Sequence, residues 1–169
     1  NKKVVITGNT GFKGSWLSIW LNELGAEVYG ISNEIPTKPS NFKVSSLDQI
    51  IQYNEIDIRK YDDLSNFIIK IKPDFIFHLA AQALVYSAYK DPLYTYETNV
   101  LGTINVMESL KKLNNKCTVV MITSDKCYEN VEWIWGYKET DMLGGKDPYS
   151  SSKACAELAI YSYYNSFFS

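Results

Sequence analysis

Val4-Val5-Ile6-Thr7-Gly8-Asn9-Thr10-Gly11-Phe12-Lys13-Gly14-Ser15-Trp16-Leu17 joins an apolar run to a helical one through three evenly spaced glycines. Lys3 to Thr7 is a β-branched apolar run that reads as a short strand. Gly8, Gly11 and Gly14 interrupt it, and helical spacing begins at Trp16. Glycines at this interval serve a tight turn, a close approach of backbone to a pyrophosphate, and close helix packing, with the helix N-terminus facing the anion. Placed between a first strand and a first helix, the triplet is one spacing variant of a dinucleotide-binding fingerprint. Its expected cradle is Gly8, Thr10, Gly11, Phe12, Lys13 and Gly14.

Outward from this loop the same alternation repeats. Leu17, Trp20, Leu21 and Leu24 recur at helical intervals and are expected on one buried face, with Gly25 as a left-handed cap. Glu27 to Ile31 resumes a strand; Ser32 to Ser46, with Pro36 and Pro39, reads as a surface loop followed by a short helix. Gln52 to Asp57 is a third strand. Leu64, Phe67, Ile68 and Ile71 form a helical stripe that stops before Pro73, and Asp74 to His78 is a fourth, continuously apolar strand. Asp91-Pro92 is a cap and first turn for a long helix with Val100, Ile104, Met107 and Leu110 on its buried side. Cys117 to Thr123 is a fifth strand, and Asp147-Pro148 opens a helix through Tyr149, Lys153, Ala156, Ile160 and Tyr164. The expected fold is α/β: a Rossmann-like, doubly wound parallel sheet with helices on both faces.

Composition narrows the function. The chain has 169 residues, a net charge of -2 and a single arginine, Arg59, which disfavours nucleic acid because phosphate binding scales with clustered cations. Cys117, Cys127 and Cys155 form no C-x-x-C and there is one histidine, His78, so neither a zinc site nor a disulfide framework is supported. No apolar run approaches ~18 residues and no signal pattern opens the chain, so no membrane partner and a cytoplasmic location are expected. The absence of an initiator methionine and the end at Phe168-Ser169, inside an apolar-periodic run, lead us to expect a piece of a longer protein.

Three groups of residues carry candidate chemistry. At the end of the second strand the acidic residue that would bind an adenosine ribose is replaced by Ser32-Asn33-Glu34. Asn33 or Ser32 can bond a ribose hydroxyl, while Lys38 can meet a 2′-phosphate; without an arginine there, NAD is preferred over NADP. Asp57 and Ile58 are candidates to hold the adenine edge. Tyr149 and Lys153, four apart at a helix start, share one face, so an ammonium can sit beneath a phenol. A phenol of ordinary pKa near ~10 acts as a base near neutrality only when positive charge favours its phenolate. Thr123-Ser124-Asp125-Lys126-Cys127-Tyr128 lies at the carboxyl edge of the sheet, where open α/β folds bind ligands. Ser124 can bond a substrate hydroxyl, and Asp125 with Lys126 offers an acid and a base for eliminating water. Cys127 lacks a histidine neighbour and reads as packing.

TGNTGFKGSWL (Thr7 to Leu17), FHLAAQ (Phe77 to Gln82), TNVLGT (Thr98 to Thr103), TSDKCY (Thr123 to Tyr128), EWIWGY (Glu132 to Tyr137) and DPYSSSK (Asp147 to Lys153) stand in this order across essentially the whole chain. In these segments the sequence resembles the extended short-chain dehydrogenase/reductase group of NAD-dependent nucleotide-sugar epimerases and dehydratases. Ser-Asp-Lys followed by a tryptophan-rich loop is similar to the dehydratase branch acting on CDP-glucose; in other nucleotide-sugar dehydratases the triplet reads Thr-Asp-Glu.

The resemblance implies an internal redox reaction with NAD retained. Tyr149, with Ser124 and Lys153, would deprotonate the hexose 4-hydroxyl as hydride leaves C4. Lys126 would take the C5 proton, Asp125 would protonate the departing 6-hydroxyl, and hydride would return to C6 to give CDP-4-dehydro-6-deoxyglucose. It further implies that Leu79, Ala80, Ala81 and Gln82 line the nicotinamide side, ordered by Asn99. His78 is the less favoured base, being more readily held by backbone groups. Trp133, Trp135 and Tyr137 either close over the sugar or pack their own loop, and Tyr86 stands where the family has a basic residue. By the same resemblance, residues 1–169 are an NAD-binding domain lacking the family's C-terminal substrate domain, and a homodimer forms through helices that include the last, which exposes Ile160, Tyr164 and Phe167. A nucleotide-sugar epimerase or reductase, or a non-catalytic nucleotide-binding module, remains the alternative.

Overall fold

Runs of β-branched residues buried on both sides place β1 (Lys3–Thr7) at the centre of the sheet. The computed structural model describes residues 1–169. β1 is flanked by β2 (Glu27–Ser32) and β4 (Phe75–His78), with β3 (Gln52–Glu55) and β5 (Thr118–Met121) outside them, all parallel in the order β3-β2-β1-β4-β5. Val5 pairs with Tyr29, Ile6 with Phe77 and His78 with Met121. The chain winds outward from β1 to β2 and β3 on one side and to β4 and β5 on the other, and this switch in strand order opens a crevice at the carboxyl ends of β1 and β4.

Alternate residues of β1 feed two cores. Val4 and Ile6 pack with Val28, Phe42, Leu47 and Ile51, under α1 (Phe12–Glu23), α2 (Asn41–Val44) and α3 (Leu47–Ile50). On the other face Val5 packs with Ile31, Ile76, Leu64, Ile68 and Val106, under α4 (Tyr61–Ile71) and the helix ending in α7 (Gly102–Lys111). Right-handed crossovers from a central strand outward in both directions dictate this division. α5 (Val85–Lys90) and α6 (Pro92–Tyr96) follow β4, and α8 (Pro148–Tyr163) closes the chain with one wider turn, Tyr164–Phe168. No helix is long and apolar enough to cross a membrane.

Two expected faces are displaced. α1 begins at Phe12 and buries Gly14, Ser15 and Ser18, whereas Trp16, Trp20 and Leu24 are exposed and Leu17 and Leu21 are half-buried. Small residues win because the helix lies against the glycine loop: Ser15 Oγ donates to the Asn9 carbonyl (3.0 Å) and Ser18 Oγ to that of Gly14 (2.7 Å). In the helical run from Pro92 to Lys111, Asp91 caps as expected, accepting from Tyr94 N at 2.9 Å. A π-turn at Glu97–Leu101 then inserts a residue and rotates the buried face to Thr98, Asn99, Thr103 and Val106; Met107 is buried, but Val100, Ile104 and Leu110 are only half-buried. The strands are also shorter than expected, β3 ending at Glu55 and β5 at Met121. At the C-terminus Tyr164 and Phe167 are exposed, and Ile160 is half-buried.

The glycine loop is the tightest contact in the fold. A Cβ on residue 14 would stand 2.2 Å from the Gly8 carbonyl oxygen, and Gly8 itself, at φ +75°, would place one 2.7 Å from Ala80 N. Gly25, at φ +81°, caps α1 in open space. Gly14→Ala is therefore expected to destabilise by about 3 kcal/mol and lower Tm by roughly 6–12 °C in thermal unfolding. Gly25→Ala, which meets only the left-handed backbone preference, should lose about 1–2 kcal/mol.

Candidate cofactor and active-site cleft

A cleft of about 890 Å³ runs along the carboxyl edge of the sheet, within the ordinary range for small-molecule sites. Gly8, Thr10, Gly11, Phe12, Lys13 and Gly14 form its floor, Asn33, Asp57 and Ile58 one end, and Leu79, Ala80, Ala81, Gln82, Tyr149 and Lys153 the other. The structure thus brings together every residue expected at the cofactor except Asn99, which lies just behind the wall. At the floor, the N–H groups of Phe12, Lys13 and Gly14 have no acceptor in the protein, and no side chain caps α1. The first turn holds no acidic residue but does hold Lys13, whose charge opposes the helix dipole unless an anion sits there. Such a floor fits a pyrophosphate.

At the end bordered by Asn33, Asp57 and Ile58, Ser32 is nearly buried. Ser32 Oγ donates to Asn9 Oδ1 (3.0 Å) and accepts from Thr10 N (3.3 Å), so its hydroxyl is consumed inside the protein. Ser32, Asn33 and Glu34 all line the cleft; Lys38 does not.

The opposite wall is held by a chain of hydroxyls. Thr7 Oγ1 accepts from Leu79 N (3.1 Å) and Ala80 N (3.0 Å), so its own proton goes to His78 Nδ1 at 2.7 Å. That assigns the proton to Nε2, which donates to Thr103 Oγ1 at 3.1 Å, and Thr103 donates to the Asn99 carbonyl at 2.7 Å. His78 is therefore held by threonine hydroxyls rather than by backbone groups. Burial, then the charge of Lys153, pushes it down to about 3. Neutral and enclosed, it is a structural strut rather than a base. Asn99 accepts from Gln82 N (2.8 Å) and donates to the Gln82 carbonyl (3.0 Å) and Ser152 Oγ (2.9 Å), tying the FHLAAQ loop to α8.

α8 starts where Asp147 accepts from Ser150 N at 3.0 Å, with Pro148 in its first turn. This directs Tyr149 and Lys153 into the cleft, both nearly buried. Burial pushes Lys153 down to about 8, and Glu157, one turn on, opposes part of that drop. Glu157 also accepts from Thr123 Oγ1, linking α8 to the end of β5. Sequence reading missed Glu157 because a helical glutamate looks like a solvated one; its place one turn beyond Lys153 was the available signal.

Ser124, Asp125 and Lys126 follow at the cleft's rim, outside its lining. Ser124 caps the short 3₁₀ turn Asp125–Cys127, donating to Asp125 Oδ1 (3.1 Å) and accepting from Lys126 N (3.3 Å), and leaves the Asp125 and Lys126 side chains exposed. Burial pushes the Cys127 thiol up, in keeping with packing. Tyr128 stacks on Tyr137 (centroids 5.5 Å apart, planes 8° apart) and Trp133 meets Tyr137 at a tilt (5.9 Å, 34°), so these rings of the loop pack on one another, with Trp133 and Trp135 exposed. Tyr86 is exposed, with Lys90 Nζ 4.5 Å from its ring centroid. No cluster of His, Cys, Asp and Glu supplies a metal site.

Comparison with known proteins bears on this arrangement. Residues 5–168 match the family model described as GDP-mannose 4,6 dehydratase. The chain belongs to that family. It is similar to the CDP-glucose 4,6-dehydratase of Salmonella typhimurium, with 51% identity over 99% of this chain and 46% of that protein. It is similar also to the GDP-mannose 4,6-dehydratase of Yersinia enterocolitica, with 30% identity over 98% of this chain and 46% of the relative. The chain thus spans about half the length of the curated relatives it matches. Among solved structures, UDP-glucose 4-epimerase of Thermus thermophilus in complex with NAD superposes with TM-score 0.82 and 28% identity, covering 98% of this chain and 51% of that one.

The enclosed histidine generates a pH prediction. Unfolded, His78 titrates near ~6.5, whereas folded it stays neutral down to about 3. Below pH 6.5 the unfolded chain therefore binds the extra proton and folding is progressively penalised until the folded value is reached. Urea unfolding at pH 7 and pH 5 should show that the stability difference between wild type and His78→Gln shrinks by about 2 kcal/mol at the lower pH.

Proposed function

We propose that residues 1–169 form the NAD-binding portion of a nucleotide-sugar 4,6-dehydratase acting on CDP-glucose. The observation that carries the reading is the meeting, in one cleft, of an uncapped glycine-loop helix with Tyr149 and a buried Lys153. Similarity to a CDP-glucose 4,6-dehydratase supports the choice of sugar nucleotide.

Gly8, Gly11, Gly14 and the N–H groups of Phe12 to Gly14 would hold the pyrophosphate, Asn33 the ribose, Asp57 and Ile58 the adenine, and Leu79 to Gln82 the nicotinamide side. When bound, the dinucleotide would supply the acceptor for the C4 hydride and the store from which that hydride returns to C6. Tyr149 accepts the proton of the 4-hydroxyl, assisted by Ser124, and the Lys153 ammonium beneath stabilises the phenolate. The 4-ketone acidifies C5–H. Lys126 takes that proton and Asp125 protonates the departing 6-hydroxyl, giving CDP-4-dehydro-6-deoxyglucose. Asp125 and Lys126 stand at the open rim, so substrate bound there completes the site. NAD is preferred over NADP because Ser32 is enclosed, Lys38 lies outside the cleft, and Glu34 lines the region a 2′-phosphate would enter. The exposed Tyr164 and Phe167 suit pairing with a second copy of the chain.

A second reading, a nucleotide-sugar 4-epimerase, is favoured by the fold's likeness to the Thermus thermophilus epimerase. Mass spectrometry of CDP-glucose, UDP-glucose and dTDP-glucose incubated with NAD and the full-length gene product separates the two. We expect loss of one water from CDP-glucose alone; no mass change with any substrate would overturn the dehydratase reading. Tyr149→Phe should lower turnover by about 10²–10⁴-fold. Asp125→Asn and Lys126→Met should each cripple dehydration, whereas an epimerase, which eliminates nothing, would hardly notice them.

A further inference from the structure

β5 leaves the sheet just before the groups assigned to elimination. Its last ladder bond runs from Ile122 N to the His78 carbonyl (3.0 Å), and Thr123 makes no main-chain hydrogen bond at all. Beyond it, Ser124 to Tyr128 is a stiff unit. Cys127 N donates to the Ser124 carbonyl (3.0 Å), Tyr128 N donates to that of Asp125 (3.2 Å), and Ser124 Oγ accepts from Lys126 N (3.3 Å). The buried Cys127 side chain and a bond from Gly144 N to the Cys127 carbonyl (2.9 Å) hold the far end of this unit. At the near end Thr123 makes a single hydrogen bond, through its side chain: Oγ1 donates to Glu157 Oε1.

Glu157 stands on α8 in the row Tyr149, Lys153, Glu157, each four residues from the last, so the tie reaches the turn from the helix face that carries the oxidation pair. Thr123 also lines the cleft. A bond from a hydroxyl to a carboxylate is stronger than one between neutral groups, and its directionality fixes rotation as well as distance. Oxidation at C4 and elimination across C5 and C6 act on three consecutive carbons, so the two sets of groups tolerate little relative movement. The same carboxylate supports the charge of Lys153 against burial, and substitution separates that effect from the tie.

We propose that Glu157 is a positioning residue: through Thr123 it holds the Ser124-Asp125-Lys126 turn in register with Tyr149 and Lys153, so that a hexose oxidised at C4 meets the elimination groups without shifting. The inference rests on the dehydratase reading of this cleft. It gives Glu157 the coupling of the two halves of the reaction rather than either half by itself.

Single turnovers of the full-length gene product with NAD and CDP-glucose test it, with the near-ultraviolet absorbance of the reduced dinucleotide following oxidation and mass spectrometry following loss of water. Thr123→Val, which keeps the Glu157 charge and removes the tie, should slow loss of water by about 10–100-fold while oxidation stays within about threefold, so that reduced dinucleotide builds up. Glu157→Ala should build it up too. Glu157→Gln, whose amide oxygen still accepts from Thr123, should restore loss of water to within about threefold of wild type. Without any turnover, amide hydrogen exchange should be faster over residues 123–127 in Thr123→Val and unchanged in α8. Thr123 is half-buried and valine matches its shape, so Thr123→Val carries the test if Glu157→Ala does not fold. Equal slowing of both steps in Thr123→Val overturns the coupling role. So does a Glu157→Gln as slow as Glu157→Ala, which would make the charge decisive instead of the tie. A wild type that dehydrates CDP-glucose no faster than Thr123→Val sinks this inference alone; a wild type that releases no water sinks the dehydratase reading with it.

Discussion

The carbonyl oxygen of Gly8 sits where a side chain on residue 14 would begin, 2.2 Å from its ideal Cβ, and the rest of the cleft depends on that closeness. Only with residue 14 bare can α1 come down against the end of β1, and only then do the N–H groups of its first turn point into the crevice rather than into a loop. The same approach selects serine at positions 15 and 18, whose hydroxyls bond to nearby carbonyls instead of demanding room for an apolar side chain. The large apolar residues of α1 are displaced outward: Trp16, Trp20 and Leu24 are all more than half exposed.

A second constraint governs the opposite wall. α8 carries Tyr149 and Lys153, and it is fastened at two points to different strand ends: through Asn99 and Ser152 to the loop after β4, and through Glu157 and Thr123 to the end of β5. Both ties are polar and short-range, so they fix distance and rotation where an apolar contact would fix only proximity. His78 extends the network to β1. Its neutrality is required, because a protonated ring would have lost the acceptor that receives the Thr7 proton. Buried small polar side chains thus perform at the cleft the role that Ile and Val perform in the two cores.

The strands and their parallel, doubly wound arrangement were legible because β-branched runs and glycine punctuation are local signals with a fixed period, and right-handed crossovers leave few ways to assemble them. Most of the residues that line the cleft were legible for the same reason: they lie on loops at strand ends, where topology alone collects them. Legibility failed on helix faces. Apolar periodicity put Leu17, Trp20, Leu21 and Leu24 inside α1, and Val100 and Ile104 inside the helix after Asp91, but close backbone packing in the first case and a π-turn in the second rotated small polar residues inward instead. Neither cause has a local sequence period.

Spacing along the chain was enough for the fold class, the glycine loop, and the pairing of Tyr149 with Lys153 on one helical turn. How the Ser32 hydroxyl is bonded at the end of β2, which tautomer His78 adopts, and that Arg59 grips Asp57 came from the tertiary structure alone. Those outcomes depend on hydrogen-bond partners distant in the chain or on a side chain's choice between neighbours, and a linear pattern carries no record of which donor reaches which acceptor.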